Sequence, residues 1–163
     1  MSLEAFLKIE GPLVEAEGQK EKFEKWFDVL SFSWGAHNVG GGHTGTGSGT
    51  GQGDAQDLSV MVMMQTGTHL LLKHCAFGEH FDKATLIARE TGGKEQVNYL
   101  ELEMEKVLIS SWQFGASEGG GKPPVNISLN FKKVKFIYRP QDDKGKALPD
   151  KEVTWDISKG KDS

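Results

Sequence analysis

A few residue patterns in this 163-residue chain have the types and spacing of a chemical site. Gly115-Ala116-Ser117-Glu118-Gly119 matches G-x-S-x-G, in which a strand brings a serine to a strained turn and a helix carries the chain away. Here the chain leaves through Gly120-Gly121-Lys122-Pro123-Pro124, where two prolines forbid that helix, so Ser117 is not expected to be a nucleophile. Glu101, Glu103 and Glu105 share one strand face and could act as paired acid and base, but without a matching cleft they read as solvated surface. His37, His43, His69, His74 and His80 could hold a metal, yet none is spaced as H-x-H or H-E-x-x-H. Asn126-Ile127-Ser128 fits a glycosylation acceptor but falls inside an expected strand. No catalytic residue, metal or cofactor is assigned, and no enzyme activity is expected.

The other candidate is Gly40 to Gly53, with glycine at eight of fourteen positions. Such a run buries almost nothing and loses much backbone entropy on ordering, which leaves a phosphate cradle, a slack linker or an arm that orders on a partner. A cradle needs Gly-Lys followed by Ser or Thr, and the four Gly-Lys pairs are followed by Glu95, Pro123, Ala147 and Asp162. The cradle is therefore set aside.

The chain has the length of one domain with one core. Its 19 basic and 23 acidic residues give net charge -4, so neither nucleic acid nor a membrane is expected as partner. Residues 1–121 carry 9 basic and 17 acidic groups (9 − 17 = −8), and residues 122–163 carry 10 and 6 (10 − 6 = +4). Ends of opposite sign suit head-to-tail contact, although a solvated basic tail is the commoner explanation. The lone Cys75 excludes an internal disulfide, fits a reducing compartment and is expected in the core. MSLEAFLKIEG carries Glu4, Lys8 and Glu10 and lacks a continuous apolar stretch, so no cleaved signal peptide is expected, and no window reaches membrane-span length.

The elements that must position these residues are mostly strands. Ala5, Leu7 and Ile9 alternate with polar neighbours, and residues 15–25 read as a loop. Trp26 to Trp34 is a strand with Trp26, Leu30, Phe32 and Trp34 on one face and Phe27, Val29, Ser31 and Ser33 on the other, wetter one. Leu58 to Met64 follows. Thr68 then caps a helix whose stripe is Leu71, Leu72, Cys75 and Ala76 and which stops at Gly78. Phe81 to Glu90 is a strand, and Thr91-Gly92-Gly93-Lys94 a hairpin turn. The next strand puts Leu100, Leu102, Met104, Leu108 and Trp112 on one face and is apolar on both faces in its second half, as beneath a helix or a neighbouring subunit. Val125 to Tyr138 changes sides at a bulge near Lys132-Lys133, and Glu152 to Ile157 closes the chain. The fold class is mainly β: an antiparallel barrel of two packed sheets with one short flanking helix and a long glycine-rich loop.

Several segments resemble the Hcp family of type VI secretion tube proteins. They are Asp28 to Gly35, Gln56-Asp57-Leu58-Ser59, Tyr99-Leu100 leading to Val107 through Ser111, Val125 to Phe131, Tyr138-Arg139-Pro140-Gln141 and Trp155-Asp156-Ile157, in order over nearly the whole length. One departure is Gln65-Thr66-Gly67-Thr68-His69, where the family commonly has an acid followed by Ser-Pro or Thr-Pro; this implies a looser start to the helix.

The resemblance implies a single Hcp-like domain over 1–163, with a flexible loop at 36–56 and a polar extension at 139–163. It implies hexameric rings stacked into a tube that a sheath expels. Sheath, spike and secreted effector proteins would be the partners. Effectors would ride in the lumen, and the subunit would sit in the bacterial cytoplasm before secretion without a cleaved signal. Ser31 and Ser33 are the expected lumen surface. Gly40, Gly41, Gly42, His43, Gly45, Gly47, Gly49, Gly51 and Gly53 would form the ring-stacking loop. No fused toxin domain is expected. The alternative is a monomeric barrel binding a small apolar ligand, with Met61, Met63 and Met64 lining its cavity.

Overall fold

The computed structural model describes residues 3–38, 53–90 and 96–162. Eleven strands and one helix lie within them: β1 Leu3–Glu10, β2 Phe27–Ser33, β3 Ala36–Asn38, β4 Gly53–Ala55, β5 Leu58–Met63, α1 Thr68–Phe77, β6 Phe81–Glu90, β7 Leu100–Phe114, β8 Pro124–Asn130, β9 Lys133–Tyr138, β10 Lys151–Asp156 and β11 Lys161–Asp162. Nine of the strands form one antiparallel sheet in the order β11-β10-β9-β7-β6-β1-β2-β5-β8, and β8 also pairs with β7, which closes a barrel. The length of β7 makes this possible. Its first half runs between β6 and β9, and its second half, from Leu108 onward, pairs with β8.

Apolar side chains fill the barrel. Leu7, Ile9, Phe27, Leu58, Val62, Phe81, Leu86, Met104 and Leu129 are all fully buried, so the interior is packed rather than hollow. Met61 and Met63 point to the outer side of β5 and are half-buried, while Met64 leans on the core edge. This overturns the expectation that the methionines line a ligand cavity, because the alternation of β5 gives the inside to Leu58, Val60 and Val62.

Three inside-outside switches depart from simple alternation. In β2 the register shifts between Val29 and Ser31, so Phe27 and Val29 are buried while Ser31 and Ser33 are exposed; the single face expected for all four does not exist. In β7 Lys106 has φ 54, and the buried positions pass from Leu102 and Met104 to Val107 and Ile109. A second shift between Ile109 and Ser111 turns Trp112 back against the core. Opposite Lys106 the facing strand breaks between β8 and β9, and Lys132 N–H donates to Glu105 O at 3.1 Å. Both strands thus change sides at one level, and the inward side goes from Phe131 to Val134, as the expected bulge requires.

Outside the barrel, β1 and β6 carry a second apolar cluster. Phe6 stacks on Phe23 with ring centres 4.1 Å apart, and Trp26 meets Phe23 edge-on at 5.1 Å. Arg89 is buried between these rings and the Glu4 carboxylate, to which it donates from Nε at 3.0 Å and Nη2 at 3.1 Å. The loop at residues 15–25 is therefore pinned to the sheet by Phe23.

The helix ends at Gly78 in the left-handed conformation, as its sequence predicts. Its start differs: Gly67 is the N-cap, and the Thr68 hydroxyl donates back to Gln65 O at 2.7 Å instead of capping a free N–H. The buried stripe is Thr68, Leu71 and His74, whereas Leu72 and Ala76 are exposed and Cys75 is half-buried. His74 stacks on Phe81 at 3.9 Å, which is why a polar residue replaces the expected apolar one. The Thr91 to Lys94 turn lies outside the described residues.

Candidate interaction surfaces

The outer face of β2, β5, β8 and β7 collects small polar side chains. Past the bulge of β2, Ser33 is in register with Ser59, Ser59 with Ser128, and Ser128 with Ser111. The next row is Ser31, Met61, Asn126 and Gln113. Alternation gives each strand its apolar partners inside, so this face has almost no ionised group.

At its margin Asp57 accepts hydrogen bonds from Ser110 Oγ at 2.6 Å and Asn130 Nδ2 at 2.9 Å. Ser110 also meets Ser128 at 2.9 Å, and Ser128 and Ser111 share a short hydroxyl contact. These hydroxyls form a chain that ends on the Asp57 carboxylate, and among the described residues no histidine or lysine is hydrogen-bonded to any of them. The chain can orient a surface and hold water, and a carboxylate alone is a weak base for a serine hydroxyl. The sequence reading did not place Ser59, Ser111 and Ser128 on this surface, although alternation with Leu58, Val60, Ile127 and Leu129 marks the outward side for Ser59 and Ser128.

A second surface begins at the base of the glycine run. β3 and β4 pair as a two-stranded ribbon with Ala36 opposite Ala55 and Asn38 opposite Gly53. The ends of the span at 36–56 are thus in ribbon form, and His37 Nε2 stands 3.7 Å from Asp54 Oδ2. The ribbon is fastened to the barrel: Gln56 N–H donates to Gly35 O at 2.8 Å and Trp34 Nε1 donates to Gln56 O at 2.8 Å. A Cβ on Gly53 would lie 3.6 Å from the Trp155 ring of β10. Of the expected stacking residues only Gly53 is described; Gly40, Gly41, Gly42, His43, Gly45, Gly47, Gly49 and Gly51 lie outside the described residues.

The remaining candidates resolve into structure. Ser117 sits in an exposed turn closed by Gly120 N–H to Ser117 O at 3.1 Å, with Gly119 at φ 86 and no helix following. Glu101 receives Arg139 at 2.6 Å, Glu103 faces Lys83 at 3.8 Å and Glu105 faces Lys133 at 3.7 Å, so the three carboxylates belong to cross-strand ion pairs. Among the described residues no three His, Cys, Asp or Glu side chains cluster as metal ligands. A surface groove of about 590 Å³ beside Arg89 is lined by Gln19, Lys20, Lys22, Gln96 and Asn98, which does not suit an apolar ligand.

Comparison with known proteins gives a consistent result. The family model described as type VI secretion system effector, Hcp, matches residues 6–138. Protein hcp1 of Pseudomonas aeruginosa is 36% identical over 141 residues, 86% of each chain. A solved structure of a type six secretion system protein superposes with TM-score 0.89 at 28% identity over 99% of this chain and 100% of that one. The crystal structure of Hcp1 from Salmonella typhimurium superposes with TM-score 0.79 at 22% identity over 99% and 100%.

Proposed function

The chain belongs to the Hcp family of type VI secretion proteins, and on that basis we propose that it forms hexameric rings that stack into the secretion tube and carry effectors in their lumen. The family is structural rather than enzymatic. Rings are held in the bacterial cytoplasm, threaded within a sheath behind a spike, and expelled without a cleaved signal.

The observation that carries the lumen assignment is the in-register row Ser33, Ser59, Ser128 and Ser111, joined by Ser31. One face of each protomer must line the hole of a ring. A sheet face of short uncharged side chains leaves the widest opening, stays hydrated and offers hydrogen bonds without trapping a charged passenger. Six copies repeat each weak contact, so retention comes from multiplicity. The glycine run, held at its base by Trp34, lies against a neighbouring ring.

Negative-stain images of the purified protein test the assembly: rings or stacks support it and isolated monomers remove it. Ser33→Trp tests the face. Rings are expected to persist while effector co-purification falls, and undiminished co-purification takes Ser31 and Ser33 out of the lumen.

A further inference from the structure

The groove beside Arg89 encloses about 590 Å³, within the roughly 300–1,000 Å³ of small-molecule sites, and the tube reading gives it no role. Its buried cation is fixed before anything binds. Arg89 is 6% exposed, stands directly opposite Glu4 across β6 and β1, and has its Cζ 5.3 Å from the Phe6 ring and 5.2 Å from the Phe23 ring. Glu4 takes up Nε and Nη2, while Nη1 has no hydrogen-bond partner among the described residues. A guanidinium clamped in this way can gain a further acceptor without a new ordering cost.

The walls are set as well. Gly18 N–H donates to Trp26 O at 3.0 Å, Lys25 N–H to Gly18 O at 2.8 Å and Phe23 N–H to Lys20 O at 2.8 Å, which closes the 15–25 loop on itself. The last of these bonds makes a turn whose third residue is Lys22, at φ 74, where glycine would be the unstrained choice. Lys22 has no ion-pair partner among the described residues, and Lys20 Nζ stands 3.2 Å from the Glu4 carboxylate that Arg89 already occupies. On the other wall the Asn98 carbonyl accepts from Arg139 Nη1 at 3.2 Å, which holds that residue in place.

Three cations, Lys20, Lys22 and Arg89, stand against Glu4 and Glu21, so the groove has a surplus of 3 − 2 = +1. The amide side chains of Gln19, Gln96 and Asn98 complete a polar lining in which Phe23 is the sole apolar member, itself 4% exposed. We propose that this groove binds a small polar anion, a carboxylate or phosphate group carried on a small molecule, with Arg89, Lys20 and Lys22 as its cationic donors. Charge-assisted hydrogen bonds from these groups hold the anion, and the amides serve the polar remainder of the ligand. All of these residues belong to one protomer, so the site stands or falls apart from ring assembly.

Isothermal titration calorimetry of the full chain in low-salt buffer, with citrate and with inorganic pyrophosphate as the two probes, tests the site. At least one probe should bind saturably with a dissociation constant below about 10 mM, and the tighter of the two assigns the group as carboxylate or phosphate. Lys22→Gly keeps the turn and removes the ammonium; combined with Lys20→Ala it should weaken binding at least about tenfold with an unchanged circular dichroism spectrum. If the double variant loses its native spectrum, Lys22→Gly alone decides, with a loss of roughly severalfold. Lys106→Gly with Lys132→Ala, which removes two exposed lysines elsewhere on the surface, is the control and should retain wild-type affinity. No saturable binding of either probe, undiminished binding by the folded groove variant, or equal weakening by groove and control variants overturns the proposal.

Discussion

Replacing Gly67 by alanine probes the corner where the chain passes from β5 into α1. Gly67 has φ 102, and an added Cβ would lie 2.9 Å from Glu15 O, 2.9 Å from Phe27 Cζ and 3.1 Å from Val14 Cγ1. None of these neighbours gives way easily. The Glu15 carbonyl belongs to a segment held by Ala16 N–H to Lys25 O at 2.9 Å and Glu17 N–H to Gln65 Oε1 at 3.0 Å, and Phe27 is fully buried. The backbone strain of an L-residue there is about 1–2 kcal/mol, and forcing a methyl into packed surroundings adds about 1–3 kcal/mol.

Gly78 is the matched control. It has φ 66, and nothing lies within 4 Å of an added Cβ. Gly78→Ala therefore meets only the backbone term, reduced by about 0.4–1 kcal/mol through the stiffer unfolded chain. We expect Gly67→Ala to cost about 3 kcal/mol and Gly78→Ala under about 1 kcal/mol. Urea unfolding followed by tryptophan fluorescence at one fixed protein concentration reads the difference. With a slope of about 2 kcal/mol per molar urea, the Gly67 variant should lose about 1.5 M in midpoint. Midpoints of the two variants within about 0.3 M of each other would refute the steric reasoning.

Two further outcomes are expected. The hydrogen bonds from Arg89, opposed by burial and helped by Lys20, hold the Glu4 carboxyl below its ordinary 4.5, so its stabilising contribution is present above that pH and is lost as pH falls through the lowered value. Glu4→Gln should cost about 1–3 kcal/mol at neutral pH and flatten the acid limb of the stability profile; an unchanged limb counts against the Arg89 pair. Trp155→Ala removes the ring that flanks Gly53, so amide exchange in β3 and β4 should quicken by roughly tenfold while exchange in the buried strands β5 and β6 changes little. Equal acceleration everywhere would show that Trp155 supports the barrel and not the ribbon.

Much of the candidate surface was legible in part. The polarity of Ser31 and Ser33 was visible, and so was the impossibility of a nucleophile at Ser117, because Pro123 and Pro124 act locally. The serine row was not visible as a row. Ser33, Ser59, Ser111 and Ser128 come from four strands, and only the pairing of β2 with β5, β5 with β8 and β8 with β7 puts them in register. Glu101, Glu103 and Glu105 looked like free carboxylates until Arg139, Lys83 and Lys133 stood opposite them.

By itself the sequence determined the mainly β class, the longer strands and the helix, the stop at Gly78 and the side change near Lys132, but not the short strands β3, β4 and β11. Each depends on a period or a backbone preference read within a few residues. Tertiary structure alone decided which side faces in. The shifts in β2 after Val29 and in β7 at Lys106 and Ser110 arise because neighbouring strands must stay paired around a closed barrel, and a bulge is the cheapest way to absorb the mismatch. It likewise put His74 rather than Leu72 against the barrel, and it buried Arg89, since a ring to stack on and a carboxylate to pair with come from elements far apart in the chain.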